Sequence, residues 1–549
     1  MKTKIVATIG PASSSQDVMK GMIENGLSLV RINSAHADIR DVSSITKMVR
    51  SLNKDVGIMI DLKGPELRTG EFPGGSLKIA SGKEYIMGRD IVLNNMNALS
   101  TVQVGDRILM SDGEVTFEVE STDPFTIKAL NDGVLRDRSR VNIPGRFIEL
   151  GTITDRDRTF IKEGIADGVD FFALSFVQRA DNVDSLRDFV MDSGGDQYII
   201  SKIETKSGLD NIVDIVKSSD GIMVARGDLG VELPLKEVVL AQKHIIKTAH
   251  EDGDFTIVAT QVLESMVNNS SPTRAEISDI TNAIIDNADA LMLSEESAIG
   301  KYPVQAVRTL KEVSDYVEER VSFDSSYYFK GNTIAYSVAR AAKILSDDIK
   351  SDGIVALTHT GSTVRMISSL RPKAMVYAAT VSDSLARKLN IYFGVSPLHM
   401  EGNAENLSFS EIMDYIVGSG RFSDGSKLVM TSGDPYFTFG GTNDVKVAVV
   451  GKFIGRGYSF GESLSGTATY TGNGDILVAD DGKTPNGDFK GYIFTSDIRP
   501  SLMSSIKGKT VVTKARLVRR IQEGERIYID GNTGIILTAS INAKKNSSR

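Results

Sequence analysis

The sequence predicts an α/β protein built on a (β/α)8 barrel, with an inserted small β domain, an open-sheet α/β C-terminal domain and an extra β-rich terminal domain. Three observations lead there. The chain has 549 residues, and at about 150 residues per domain it needs several cores. Eight short apolar runs end in polar or glycine turns, with helical spacing between most of them. One long interval, and then the region after the eighth run, depart from that spacing and read as further domains.

The runs are KIVATIG (4–10), SLVRIN (28–33), GIMIDLKG (57–64), DFFALSF (170–176), YIISKIE (198–204), GIMVARGD (221–228), FTIVATQ (255–261) and ALMLSEE (290–296). Parallel strands alternating with helices in that number close a barrel whose chemistry lies at the C-terminal strand ends. Charged and hydroxyl residues collect at those ends: Arg31, Asn33, Asp61, Lys63, Lys202, Glu204, Arg226, Asp228, Thr260 and Ser294.

Between the third and fourth runs lie strand-like, turn-rich segments such as VGDRILMSDGEVTFEVEST. They predict a small β domain over 71–146, inserted at the barrel's C-terminal face as a lid, so that the barrel comprises 1–70 and 147–325. A second α/β series, including DGIVALTHTGSTVR and SKLVMTSGDP, predicts an open-sheet domain over 326–452. The glycine-rich remainder, 453–549, reads as a separate β domain.

Composition narrows the class. With 41% hydrophobic and 24% charged residues the chain is globular rather than disordered. A net charge of -8 argues against a general nucleic-acid binder, and the basic stretch Lys507–Arg520 reads as a solvated face. The absence of cysteine excludes disulfides and thiolate metal sites. No signal-peptide pattern or membrane-length apolar run is evident, so the expected location is the cytoplasm, with no membrane partner.

The chemistry follows from residue types. Positions two apart in an extended chain face one way, so Lys202 and Glu204 project together. Phosphoryl transfer needs a divalent cation held by oxygen and cationic groups around the migrating phosphate. Glu204 and Asp228 are hard ligands suited to Mg2+ or Mn2+. Lys202 is placed to neutralise charge on a departing oxygen, and Arg31 and Arg68 to clamp phosphate. Thr260 and Ser294 can steer a proton or water, although a capping or core role is the better reading of a lone hydroxyl. THTGSTVR (358–365) fits an effector's phosphate or a plain strand-to-helix turn. His244, His250, His359 and His399 form no metal pattern and read as structural, while His36 lies in a loop beside Asn33.

At these motifs the chain resembles the pyruvate kinase family: TKIVATIGPAS, DLKGPELRTG (61–70), SFVQRADNV, ISKIE, GIMVARGDLGVELP (221–234), ATQVLESM (259–266), PTRAE (272–276) and LSEESAIGKYP (293–303). The likeness runs in order from residue 1 to about 450. The resemblance implies a homotetramer that passes the phosphoryl group of phosphoenolpyruvate to ADP. It also implies catalytic roles for Lys202, Arg31, Thr260 and Ser294, substrate binding by Lys202, Gly227, Asp228 and Thr260, and nucleotide binding by Arg31, Asn33, His36 and Arg68. Magnesium falls to Glu204 and Asp228. A potassium ion falls to Asn33, Asp61 and the Leu62 carbonyl, with Glu66 the acid associated with its use.

Three departures stand out. RINSAHA carries Ala35 where the family has a potassium-binding serine, so a relaxed potassium requirement is expected. The lysine expected before VNIPG is missing, leaving Arg138 or Arg140 to replace it, and LSEES stands where the family reads Leu-Ser-Gly-Glu-Thr. The tail resembles, through GDILVAD and GERIYIDGNTGIIL, the phosphohistidine domain of phosphoenolpyruvate-utilising enzymes, yet it contains no histidine. Alternative readings of the residues are a magnesium-dependent pyruvate or phosphoenolpyruvate aldolase or lyase, and a metabolite-sensing protein that has lost catalysis.

Overall fold

A computed structural model describes residues 1–323, 333–401, 409–433, 441–479, 487–498, 504 and 506–538. The boundary expected at 325/326 lies outside the described residues. The chain divides into two compact units, the first comprising Met1–Tyr336 with Val364–Arg371 and Ser382–Pro397, the second the intervening and following segments.

In the first unit all eight predicted runs are strands of one closed barrel: β1 (Lys4–Thr8), β2 (Leu27–Asn33), β3 (Gly57–Asp61), β4 (Phe171–Leu174), β5 (Tyr198–Ile203), β6 (Gly221–Ala225), β7 (Phe255–Ala259) and β8 (Ala290–Leu293). Each pairs parallel with its sequence neighbours, and β1 closes onto β8. Six of the eight are buried along their whole length, as strands covered by helices outside and side chains inside must be. Two glycines permit that filling. A β-carbon on Gly57 would lie 2.4 Å from Leu29, and one on Gly221 would lie 2.3 Å from the Phe255 ring.

The N-terminal end of the barrel is held by a repeated device. Asp170, Asp220, Asp254 and Asp289 each immediately precede a strand. Three of them accept the first free amide of the adjoining strand: Ile58 donates to Asp170 at 2.9 Å, Ile199 to Asp220 at 2.8 Å and Thr256 to Asp289 at 2.8 Å. Arginines neutralise all four: Arg50 and Arg387 at Asp170, Arg187 at Asp220, Arg365 at Asp254 and Arg371 at Asp289. Asp170 and Asp289 are tolerated as buried charges because each is both hydrogen-bonded and paired, whereas at Asp254, one of whose oxygens has no partner, burial outweighs Arg365 and pushes the carboxyl up.

The segment between β3 and β4 leaves the barrel at its C-terminal face. It forms an antiparallel sheet in the order Val141–Asn142, Arg107–Met110, Val115–Thr122, Phe125–Ala129, Glu84–Ile86, with Ser76–Ile79 paired to Gly133–Arg136. Its own core includes Ile108, Phe117, Val119, Ile127 and Leu135. Pairing reaches back to an Arg68–Arg140 bridge, which places both arginines at the insertion's root.

In the second unit Val376–Thr380, Gly353–Leu357 and Lys427–Gly433 pair parallel and Thr442–Val449 joins antiparallel. Strands Lys452–Phe460, Thr510–Leu517, Gly491–Phe494, Ile476–Ala479, Leu464–Thr469, Arg526–Ile529 and Ile535–Thr538 close a second barrel. Two register shifts in Lys452–Phe460 let that strand pair on both sides and complete the ring. Lys514 and Arg516 point outward from buried Val512 and Ala515, the solvated basic face expected of that stretch. Among the described residues no helix is long and apolar enough to cross a membrane.

Candidate active site

The chemistry-bearing residues meet at the C-terminal strand ends. Lys202, on β5, lies with its Nζ 2.9 Å from Glu204 Oε1, as the two-residue period requires. The same ammonium stands 3.1 Å from Asp61 Oδ1 at the end of β3 and donates to Ser175 Oγ at 2.9 Å. Asp61 Oδ2 accepts from Arg31 Nε at 2.8 Å, and Arg31 donates onward to Thr8 Oγ1 at 2.8 Å. Glu204 Oε2 accepts the Phe176 amide at 2.7 Å, and Ser175 Oγ donates to the Leu62 carbonyl at 2.7 Å. Five strand ends thus share one hydrogen-bonded network.

Burial opposes every charge here, and the partners decide the outcome. At Lys202, burial is outweighed by the Asp61 and Glu204 carboxylates, which hold the ammonium above the ordinary lysine range. Asp61 is held below the usual carboxylate range because Lys202 and Arg31 overcome its burial. Burial pushes Glu204 up to about 7; Lys202 pulls against that rise and the Asp228 charge adds to it.

Asp228 corrects one expectation. β6 ends at Ala225, so Asp228 lies not on a strand end but in the first turn of a short helix, Arg226–Glu232. The helix begins there because Arg226 turns aside, bonding Asp279 at 2.6 Å and the Thr260 carbonyl at 2.6 Å. The Gly227 amide donates to Thr260 Oγ1 at 2.9 Å, and Thr260 occupies left-handed backbone with φ 65°.

The insertion contributes Arg140, whose guanidinium ion-pairs with Asp228, approaches Glu66 at 3.0 Å and packs 5.6 Å from the Phe176 ring. Of the two arginines weighed for the missing lysine, only this one reaches the site; Arg138 is exposed and pairs with Glu71 at 2.9 Å. Glu66 also accepts from Arg68 at 2.7 Å and faces Lys63 at 3.5 Å. These cations overcome burial and keep it below the usual range.

Two cavities adjoin here. One of about 300 Å3 is bordered by Arg31, Asn33, His36, Arg68, Lys202, Glu204 and Asp228. A larger one of about 860 Å3, with apolar walls including Ile9, Pro11, Ile45 and Met48, shares Arg31, Asn33 and His36 with the first. Thr260 and Ser294 border the larger cavity, not the smaller. The Ser294 amide donates to Glu296 Oε2 at 2.7 Å, which ties the LSEES turn to its own acid. His250 is buried against Asp289 and Arg371 at the opposite end of the barrel, a structural position as expected.

Comparison with known proteins identifies the family. The family model for the pyruvate kinase barrel domain matches residues 1–307, and that for the pyruvate kinase alpha/beta domain matches residues 334–448. A pyruvate kinase of Thermoplasma acidophilum is 89% identical over 544 residues, 99% of this chain and 100% of the relative. The chain belongs to the pyruvate kinase family. The pyruvate kinase of Bacillus licheniformis is 39% identical over 84% of this chain and 82% of its own. That of Sporosarcina psychrophila is 34% identical over 97% of this chain and 98% of its own, so the likeness extends through the terminal β domain. A crystal structure of a pyruvate kinase from Cryptosporidium parvum superposes with a TM-score of 0.76 at 31% identity, covering 82% of this chain and 96% of that one.

Pyruvate kinases are phosphotransferases whose family uses a divalent cation and potassium. The donor set fits a hard divalent ion. Glu204 and Asp228 border one cavity, and two hard carboxylates there would leave the remaining positions of such an ion to substrate and water. The potassium candidates are poorer. Asn33 Oδ1 already accepts the Ala35 amide at 3.1 Å, the Leu62 carbonyl accepts Ser175, and Asp61 is shared by Lys202 and Arg31. Ser34, next to Ala35, offers no replacement, since its hydroxyl is buried without a partner and does not border either cavity.

Sequence reasoning missed Thr8, Ser175 and Phe176. Each is an ordinary residue at a strand end, and the eight-strand count itself was the signal that such positions converge.

Proposed function

We propose that this pyruvate kinase works through the following division of labour. Arg31, Asn33, His36 and Arg68 hold the phosphates of ADP, with the nucleoside directed toward the larger cavity. Phosphoenolpyruvate sits over Lys202, its carboxylate toward the Asp228 amide and the Gly227 amide, the latter exchanging its bond to Thr260 Oγ1 for the substrate. Glu204 and Asp228 hold magnesium or manganese, which when bound screens the negative charge of the phosphates. A β-phosphate oxygen of ADP attacks phosphorus, the bond from phosphorus to the enol oxygen breaks, and its electron pair remains on that oxygen as an enolate. The Lys202 ammonium neutralises the developing charge. The enolate carbon then takes up one proton from the side of Thr260 and Ser294, giving pyruvate and ATP.

The observation that carries this reading is the Lys202 ammonium, held 3.1 Å from Asp61 and 2.9 Å from Glu204 at the edge of a cavity that Arg31, Arg68 and Arg140 border. Two carboxylates keep the lysine charged, and the paired arginines supply attraction for the phosphates of a nucleotide, which an aldolase or lyase does not bind. Asn33, Asp61 and the Leu62 carbonyl remain the potassium ligands, with a weakened requirement.

The insertion over 71–146 acts as a lid on the barrel of 1–70 and 147–325, followed by the α/β domain of 326–452. The segment 453–549 resembles a phosphohistidine domain and, lacking histidine, serves stability, regulation or assembly rather than phosphate relay. The enzyme works as a cytoplasmic homotetramer.

The deciding experiment is a coupled assay for ATP from phosphoenolpyruvate and ADP, with and without magnesium and potassium. Magnesium-dependent ATP formation is expected. Cleavage or condensation of pyruvate without ATP would establish the lyase reading, and phosphoenolpyruvate binding without turnover the sensor reading.

A further inference from the structure

Arg140 does more in this structure than border the cavity. It reaches from the root of the insertion to three carboxylates at once: Glu66 at 3.0 Å, Asp112 at 3.5 Å and Asp228 by a close ion pair. Its planar fork suits such bridging, and the Phe176 face packs against it. Two of these acids belong to the barrel side of the site, and Asp112 to the insertion. The carboxylates raise the guanidinium's basicity despite its burial, so its charge is permanent.

We infer that Arg140 is a positioning residue that competes with the divalent cation for Asp228, so that lid position and metal occupancy are coupled through one guanidinium. The inference rests on Asp228 being a metal ligand. A carboxylate that gives its lone pairs to Arg140 is a weaker ligand for a divalent ion, and an ion bound there repels the guanidinium. Displaced from Asp228, the fork keeps Glu66 and is free to turn within the cavity that it already borders with Arg31, Arg68 and Lys202. The anion able to hold five such donors there is a phosphate. Metal binding would in this way deliver a further cation to the phosphoryl group and loosen the lid's grip on the barrel.

The test is direct binding of Mn2+ to the full-length enzyme without substrates, by calorimetry or electron paramagnetic resonance, together with amide exchange in the insertion. Arg140→Met removes the competitor and should tighten Mn2+ by roughly three- to tenfold, about 0.7 to 1.4 kcal/mol. Mn2+ alone should speed exchange of amides at 138–143 in the wild type and have little effect in Arg140→Met. Arg140→Lys, which keeps the charge without the fork, should fall between. Asp228→Asn separates the two layers of argument. If it leaves Mn2+ binding unchanged, the ligand assignment fails. If it weakens binding while Arg140→Met neither tightens binding nor alters exchange, the competition is refuted and Arg140 is left as a phosphate contact only.

Discussion

Replacing Lys202 by methionine tests the centre of the mechanism. The substitution keeps the apolar stem and deletes the ammonium that lies 3.1 Å from Asp61 and 2.9 Å from Glu204. An enolate oxygen at about 3 Å from that ammonium is attracted by roughly 5 kcal/mol at an effective dielectric of about 20. Part of this is already present with the bound phosphate ester, so a loss of about 4 to 5 kcal/mol in the transition state is expected, or about 10³- to 10⁴-fold in kcat. The fold should survive. Asp61 keeps Arg31 and Glu204 keeps the Phe176 amide, so the cost of leaving both acids without the lysine should stay near about 3 kcal/mol, the lower end for a broken buried pair. The assay is steady-state ATP formation with the KM for phosphoenolpyruvate measured in parallel, alongside thermal unfolding. A folded variant with kcat within tenfold of the wild type would refute the argument, and a loss confined to KM would show that the charge serves binding alone.

Three further outcomes are expected. Ala35→Ser restores a hydroxyl beside Asn33 and should raise potassium activation, whereas the wild type should change little when potassium is replaced by a bulky organic cation; a steep wild-type potassium curve would count against the weakened site. Stability should fall on acidification through the cluster of Asp289, His250 and Arg371. Burial and the nearby Arg371 hold His250 below its ordinary value, so below about pH 6.5 the unfolded chain gains a proton that the folded one refuses. Arg371 and His250 overcome the burial of Asp289 and hold it below the carboxylate range, which adds a second loss below about pH 4. Denaturant titrations from pH 8 to 5 should show the first slope, flattened in His250→Asn. Truncation after Val450 should leave basal turnover intact, because every residue assigned to the site lies in the first unit; a folded but inactive truncation would contradict that separation.

The barrel was legible because its evidence is local. Strands such as GIMID and FTIVA are apolar on both faces, and that pattern survives any tertiary context in which helices and interior side chains cover them. Lys202 and Glu204 were legible as a pair for the same reason, since a period of two is a property of the backbone. Asp228 was misplaced by one element because the end of β6 depends on Arg226 finding Asp279 and the Thr260 carbonyl, partners far away in sequence. The sequence left Arg138 and Arg140 equal; the antiparallel bridge to Arg68 holds Arg140 at the site, while left-handed backbone at Arg138, φ 56°, breaks the alternation that would have put both on one face.

What the amino-acid sequence determined alone was therefore the set of strands, their order and the charged groups at their ends, all carried by short-range pattern. Only the closed structure decided which partners those charges take: Ser175 and Asp61 for Lys202, Arg140 for Asp228, and the arginines that neutralise the aspartates at the opposite end of the barrel. The physical reason is that a buried charge must find its counterion in three dimensions, and barrel closure brings together groups that no spacing along the chain relates.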